Sequence, residues 1–110
     1  MRYSINSVDV ESDDEGFLLG PDYSDEAVHA IAAAESIALT DSHWLVVRYL
    51  REKFRDDGHT PNFRAMVNDF ETEHPGGDWK KRLYDLFPAQ PARQAVRVAG
   101  LPKPFGKGGY

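Results

Sequence analysis

Residue types that usually carry chemistry are sparse in this sequence. No cysteine occurs among its 110 residues, which excludes disulfides, thiolate metal ligands, thiol nucleophiles and persulfide carriers. No two of its four histidines have the i, i+4 spacing of a helical metal site, so we expect neither a bound metal ion nor a cofactor. The histidines, expected to be surface or capping residues, are His29, His43, His59 and His74.

Other short motifs do not predict a catalytic site either. The acidic run at residues 13–16 lacks the alternating ligands and the distant glutamate of a calcium loop, so it predicts a turn. Gly106, Gly108 and Gly109 neither follow a predicted strand nor begin a helix, which argues against a phosphate-binding loop. No serine has the Gly-x-Ser-x-Gly context of a hydrolase nucleophile. We therefore expect no independent catalytic site.

The charge of the chain is unevenly distributed. Residues 1–79 contain 17 acidic and 6 basic side chains, whereas residues 80–110 contain 7 basic and one acidic. A basic C-terminal part can bind an anionic partner, and it can equally be a solvated helix face.

The N-terminal residues predict a β-hairpin of two short strands. Apolar side chains alternate partially over residues 3–10, with one slip near Asn6 and Ser7. Residues 13–16 give the turn signal, and the apolar residues 17–19 follow it. We expect the hairpin turn at residues 13–16.

Five helices are predicted after the hairpin, from apolar spacing and from capping residues at their starts. They cover about residues 24–36, 40–57, 60–73, 78–87 and 92–99, with Ser24, Thr40, Thr60 and Asp78 as the expected N-caps. On the second helix, Trp44, Val47, Leu50 and Phe54 form the expected inner stripe, and Arg48, Arg51, Glu52 and Arg55 the outer face.

The predicted fold class is α+β and mostly α: a small hairpin packed on about five helices with a C-terminal arm. We expect one domain over residues 1–99 and a flexible, mobile arm over residues 100–110, anchored at Leu101, because this tail is rich in glycine and proline. No apolar run approaches the roughly 18 residues of a membrane helix, and the N-terminus lacks a signal peptide's apolar region. A cytoplasmic protein without membrane contact is expected.

A series of short motifs follows in one order along the whole chain. They are DEGFL at 14–18, LTDSHW at 39–44, YLR at 49–51, LYDLFP at 83–88, PARQA at 91–95 and RVAGLPKP at 97–104. This series resembles the DsrC/TusE/DsvC sulfur-relay family, also described as the gamma subunit of dissimilatory sulfite reductase. The resemblance covers roughly residues 5–107 and is most specific in the arm.

The resemblance implies a function in which cysteines of the arm carry sulfur. In that family a cysteine near the tip of the arm holds persulfide sulfur, and DsrC-type members have a second cysteine eleven residues upstream. The corresponding positions in this chain are Lys107 and Val96. Neither side chain can hold a persulfide or form a disulfide.

The resulting hypothesis is a non-catalytic member that binds sulfur-relay partners and competes with a cysteine-bearing relative. The resemblance implies that these partners are a sulfite-reductase-like complex or a Tus-type sulfurtransferase. The basic residues would direct the arm to an anionic site, and Leu101 would anchor its root. The expected partner-binding residues are Arg93, Arg97, Leu101, Lys103, Phe105 and Lys107.

Two alternatives remain open. The predicted helices at 40–57 and 61–73 admit a helix-turn-helix interpretation. The family resemblance implies that such a DNA-binding protein would regulate sulfur-metabolism genes. The excess of acidic residues in 1–79 opposes that interpretation. A third possibility is a relative that keeps the fold after losing its role. The candidate DNA-binding residues are Arg64, Asn68, Lys80, Lys81 and Arg82.

Overall fold

The protein is mostly helical, with one small sheet at its N-terminus. The computed structural model describes residues 2–104. Phe105 and Lys107, two of the predicted partner-binding residues, lie outside the described residues. The elements are β1 (Arg2–Ile5), β2 (Val8–Glu11), α1 (Asp25–Ala34), α2 (Asp41–Asp57), α3 (Phe63–Glu73), α4 (Trp79–Leu86) and α5 (Pro91–Val98). The predicted fold class, a small hairpin with five helices, is confirmed.

The hairpin has a different turn from the predicted one. β1 and β2 pair antiparallel, with Ile5 opposite Val8, and Asn6 and Ser7 form a two-residue turn with φ values of 54° and 66°. Such turns need positive φ at both positions, which asparagine tolerates well. The slip in the alternation was therefore the turn itself. The turn at residues 13–16 also exists, but it leads only to an isolated bridge between Ser12 and Leu18.

The first two helices begin where their capping residues predict. The Ser24 hydroxyl accepts a hydrogen bond from the Ala27 amide at 3.2 Å and caps α1. Thr40 and His43 form a capping box at the start of α2, in which His43 Nδ1 accepts from the Thr40 amide at 3.0 Å. The Nε2 atom of His43 lies 2.9 Å from the Leu86 carbonyl oxygen and so joins α2 to the end of α4.

One predicted cap is wrong, and another is at the predicted position but makes no capping bond. The α3 helix begins at Phe63 rather than near Thr60, because the Asn62 side chain accepts from the Ala65 amide at 2.9 Å and takes the cap position. Asp78 does precede α4, but its φ of 47° is left-handed and its side chain makes no capping bond. The Glu71 carboxylate of α3 accepts from the Trp79 amide instead, at 3.0 Å.

The fifth helix is the centre of the helical body. α1, α2, α3 and α4 all pack against α5, and β1 packs against α1. Most side chains of α5 are consequently buried, including Val96. The helix that precedes the arm thus packs against four other helices, so the arm leaves from a fixed point.

Candidate functional site

Val96, the residue predicted to occupy the family's upstream cysteine position, is a core residue in this protein. Val96 on α5 is completely buried, and its carbonyl oxygen accepts a hydrogen bond from the Leu101 amide at 3.2 Å. A valine side chain offers no donor, acceptor or titratable group. At this position the chain therefore contributes packing rather than chemistry. Lys107, predicted to occupy the tip position, lies outside the described residues.

The first residues of the arm are fixed to the body. We call residues 100–104 the arm root. Gly100 has a φ of +81°, and its carbonyl oxygen accepts from the Asp22 amide at 2.8 Å. A Cβ atom at this position would lie 2.4 Å from the Asp22 carbonyl oxygen, which leaves room only for glycine. The Leu101 side chain is completely buried beyond it.

The turn before Phe17 brings a carboxylate to the arm root. The Glu15 carboxylate accepts hydrogen bonds from Arg93 of α5 and from Lys103. The Asp13 carboxylate holds the turn in shape by accepting from the Glu15 and Phe17 amides at 2.9 and 3.0 Å. The hydrogen bonds from Lys103 and then from Arg93 lower the pKa of Glu15. One exposed carboxylate thus joins α5 to the arm.

A second carboxylate binds the neighbouring arginine. The Glu35 carboxylate at the end of α1 accepts from Arg97 Nε at 2.6 Å and from Arg97 Nη2 at 2.7 Å. The amide group of Gln94 donates to the same carboxylate at 2.8 Å. This paired hydrogen bonding raises the pKa of Arg97. We call the side chains of Glu15, Glu35, Arg93, Arg97 and Lys103 the arm-root surface.

Arg51 is a site residue that the sequence analysis placed wrongly. It was expected on the outer face of α2, but it is buried. Its Nη2 donates to the Ser24 carbonyl oxygen at 2.7 Å, its Nη1 lies 3.3 Å from an Asp25 carboxylate oxygen, and its Nε lies 3.4 Å from the Ala99 carbonyl oxygen. It thereby joins α2 to the start of α1 and to the end of α5. The YLR motif at residues 49–51, one of the motifs on which the family resemblance rests, was the sequence signal that could have indicated a structural role for Arg51.

The candidate DNA-binding residues lie on two other helices, far along the chain from the arm. Arg64 and Asn68 are on α3, and three basic residues are on α4. Lys81 forms an ion pair with Asp85 at 3.1 Å, and the Arg82 guanidinium lies over the Trp79 ring at 4.7 Å. We call the side chains of Arg64, Asn68, Lys80, Lys81 and Arg82 the α3–α4 surface; all five are exposed.

The helix packing gives no support to the helix-turn-helix interpretation. α2 packs on α5, whereas α3 packs on α4 and α5. Tyr49 bridges α2 and α3 by donating to the Asp69 carboxylate at 2.5 Å and packing its ring against Phe70. Residues 62–86 also contain four basic and five acidic side chains, so this part of the chain is not a basic surface.

The described residues contain neither a metal centre nor a membrane helix. Within residues 2–104, no three histidine, aspartate or glutamate side chains are arranged to hold a metal ion. Over the same residues, no helix combines the length and apolar character needed to cross a bilayer. The expected cytoplasmic location stays a prediction.

Comparisons with known proteins agree with the motif series. The family model described as DsrC like protein matches residues 4–106. A sulfurtransferase TusE homolog of Haemophilus influenzae is 40% identical over 104 residues, covering 92% of this chain and 94% of that protein.

Solved structures give the same result. The oxidized gamma-subunit of the dissimilatory sulfite reductase (DsrC) from Archaeoglobus fulgidus superposes with a TM-score of 0.85 at 33% identity, covering 97% of this chain and 99% of that one. Allochromatium vinosum DsrC gives a TM-score of 0.81 at 32% identity and 94% coverage of both chains. With fold, motifs and family match in agreement over nearly its whole length, this chain belongs to the DsrC/TusE sulfur-relay family.

Proposed function

We propose that this protein is a non-catalytic binding member of the sulfur-relay family, which occupies partners of its cysteine-bearing relatives without carrying sulfur itself. The observation that carries the proposal is the buried Val96, predicted to occupy the upstream cysteine position, inside a body that keeps the family fold. A sequence without cysteine has no thiolate to accept a persulfide. The binding surfaces of the body do not depend on that thiol.

The partners follow from what the similar proteins are called. Those proteins are a sulfurtransferase TusE homolog and a gamma-subunit of dissimilatory sulfite reductase. We therefore propose a sulfite-reductase-like complex or a Tus-type sulfurtransferase as the partner of this chain. By occupying that partner, the protein would lower the amount of cysteine-bearing relative bound to it and so regulate the relay.

The arm and its root are the proposed binding elements. The complete burial of Leu101 supports a role as the anchor rather than as a contact to the partner. Arg93, Arg97 and Lys103 converge near that anchor, which supports their role in binding an anionic group. Phe105 and Lys107, further along the arm, complete the proposed set.

DNA binding, the alternative function, has less support. An exposed row of three basic residues on α4 favours it, but residues 62–86 contain five acidic and four basic side chains. Phosphate contacts made by such a surface would be weak and strongly dependent on salt. The test is a gel-shift assay with promoters of the host's sulfur genes at low salt. Retardation that the substitution Lys80→Glu abolishes would favour the alternative.

The proposed function is tested by affinity capture from a lysate of the host. The baits are the full chain and a version that ends after Pro104, which keeps the packed residues Gly100 and Leu101 intact. A truncation at residue 100 would remove a core side chain and is unsuitable. We expect the full chain to capture sulfite-reductase or Tus-type subunits and the shortened chain to capture less.

A cysteine-bearing relative from the same host is the positive control. If this relative captures its relay complex while the full chain of this protein captures none of the same subunits, the proposed function is wrong. Equal capture by the two versions of this protein would contradict the role of residues 105–110.

A further inference from the structure

All three cations at the arm root are already bound to carboxylates of the same chain. Arg93 and Lys103 share the carboxylate of Glu15, and Arg97 binds that of Glu35. These partners lie 78, 88 and 62 residues apart in the sequence. Two acidic residues from the N-terminal half therefore offset two of the three positive charges of this surface.

The two carboxylates differ in how easily they can be replaced. The Arg97 and Glu35 side chains are only 17% and 15% exposed, and Gln94 also donates to Glu35. Removing one partner of such a pair leaves a partly buried charge, so this pair should persist. Glu15 and Lys103 are 44% and 48% exposed, and exposed pairs contribute little net stability.

We propose that Glu15 is an internal competitor at the arm root, and that an acidic segment of a partner protein binds there by replacing it. This inference rests on the proposed function and adds the chemistry of the partner's contact. Exchange of one carboxylate for another keeps every donor of Arg93 and Lys103 satisfied. The free protein thus avoids unpaired cations, and the bound protein keeps the same hydrogen-bonding pattern.

The geometry favours an acidic peptide segment over an isolated anion. Arg93 projects from α5 and Lys103 from the arm root, so the two cations lie on different segments, and the Glu15 carboxylate lies between them. Arg97 adds a third donor beside them, since its Nη1 lies 3.3 Å from the Glu15 carbonyl oxygen. A segment with several carboxylates can contact both elements and hold the arm against the partner.

The test measures binding of a fluorescent hexaglutamate peptide to the full chain by anisotropy at low salt. We expect Glu15→Gln to bind the peptide roughly threefold more tightly than the unchanged protein, since an exposed ion pair no longer has to be broken. Asp14→Asn is the matched control. It changes the net charge equally, and among the described residues the pairs with Arg93 and Lys103 are formed by Glu15 and not by Asp14.

A second substitution tests whether the tighter peptide binding depends on Lys103 of the arm root. Lys103→Met combined with Glu15→Gln should remove the tighter binding, because the released cation is then absent. The inference is overturned if Glu15→Gln and Asp14→Asn bind the peptide equally well, or if the Lys103→Met change leaves the gain intact. These outcomes do not depend on capture of a relay partner, so failure of the proposed function and failure of this inference are distinguishable.

Discussion

The arm-root surface and the α3–α4 surface are both basic in the sequence but have different surroundings in the fold. At the arm root, Glu15 and Glu35 approach from the hairpin side and from α1 and bind every cation that is described there. On the α3–α4 surface the cations are exposed, with one ion pair to Asp85 on their own helix.

This difference teaches that the number of basic residues in a segment does not define a binding surface. At the arm root, carboxylates from distant parts of the chain bind the cations, and one of these pairs, Arg97 with Glu35, is partly buried. The α3–α4 surface has only local neighbours, and exposed local pairs stabilise little. Order at the arm root is the structural reason for assigning partner binding to that end of the molecule.

The largest expected contrast comes from one glycine in each region. Gly100→Ala should lower the free energy of unfolding by about 3 kcal/mol or more, because positive φ strain adds to a contact with the Asp22 carbonyl oxygen. Gly76→Ala, in the connection between α3 and α4, has similar φ strain but open space around its Cβ, and should cost roughly 1–2 kcal/mol. Urea unfolding measures both. Equal losses would show that the arm root is not packed as described.

An ion pair from each region gives the next contrast. Arg97→Met removes both hydrogen bonds that Arg97 donates to the partly buried Glu35 carboxylate and leaves the one from Gln94. This change should lower the free energy of unfolding by about 1–3 kcal/mol. Lys81→Met removes an exposed pair with Asp85 and should change stability by less than about 0.5 kcal/mol. Thermal unfolding of both variants tests the comparison. A larger loss for Lys81→Met would contradict it.

The smallest expected effect is a dependence of the arm root on pH. The pKa of Glu15 is lowered in the folded protein, so its contribution is present above the unfolded pKa and is lost as pH falls through the folded pKa. The protection factor of the Leu101 amide, which is the intrinsic exchange rate divided by the exchange rate measured by NMR, should therefore fall in the unchanged protein as the pH is lowered. With Glu15→Gln, this fall should be absent.

The helical part of the fold could be predicted because its signals are local. Ser24 and Thr40 cap their helices as expected, since capping depends on a residue and its next three neighbours. The hairpin turn was misplaced because Asn6 and Ser7 lack the glycine that usually marks such turns. Residues 13–16 gave the stronger turn signal, so the hairpin turn was predicted there instead of between β1 and β2.

The candidate site was less predictable because its contacts span the chain. The basic residues of α5 and the arm were identified, but nothing local to Arg93 or Arg97 indicates Glu15 or Glu35 as a partner. Arg51 was assigned to solvent because amphipathic patterns place charged residues outside. Its guanidinium is buried only because the backbone carbonyls of Ser24 and Ala99 converge on it, which periodicity cannot indicate.

The central claim is that this chain keeps the binding surfaces of its family and lacks only the thiol. The most direct measurement restores that thiol with Lys107→Cys and follows persulfide loading by mass spectrometry, using the sulfurtransferase that loads a cysteine-bearing relative from the same host. Ser4→Cys, at an exposed position on β1, controls for nonspecific transfer. The account predicts that Lys107→Cys gains sulfur while Ser4→Cys and the unchanged protein do not. If Lys107→Cys stays unloaded while the relative is loaded, the claim of retained binding surfaces is contradicted.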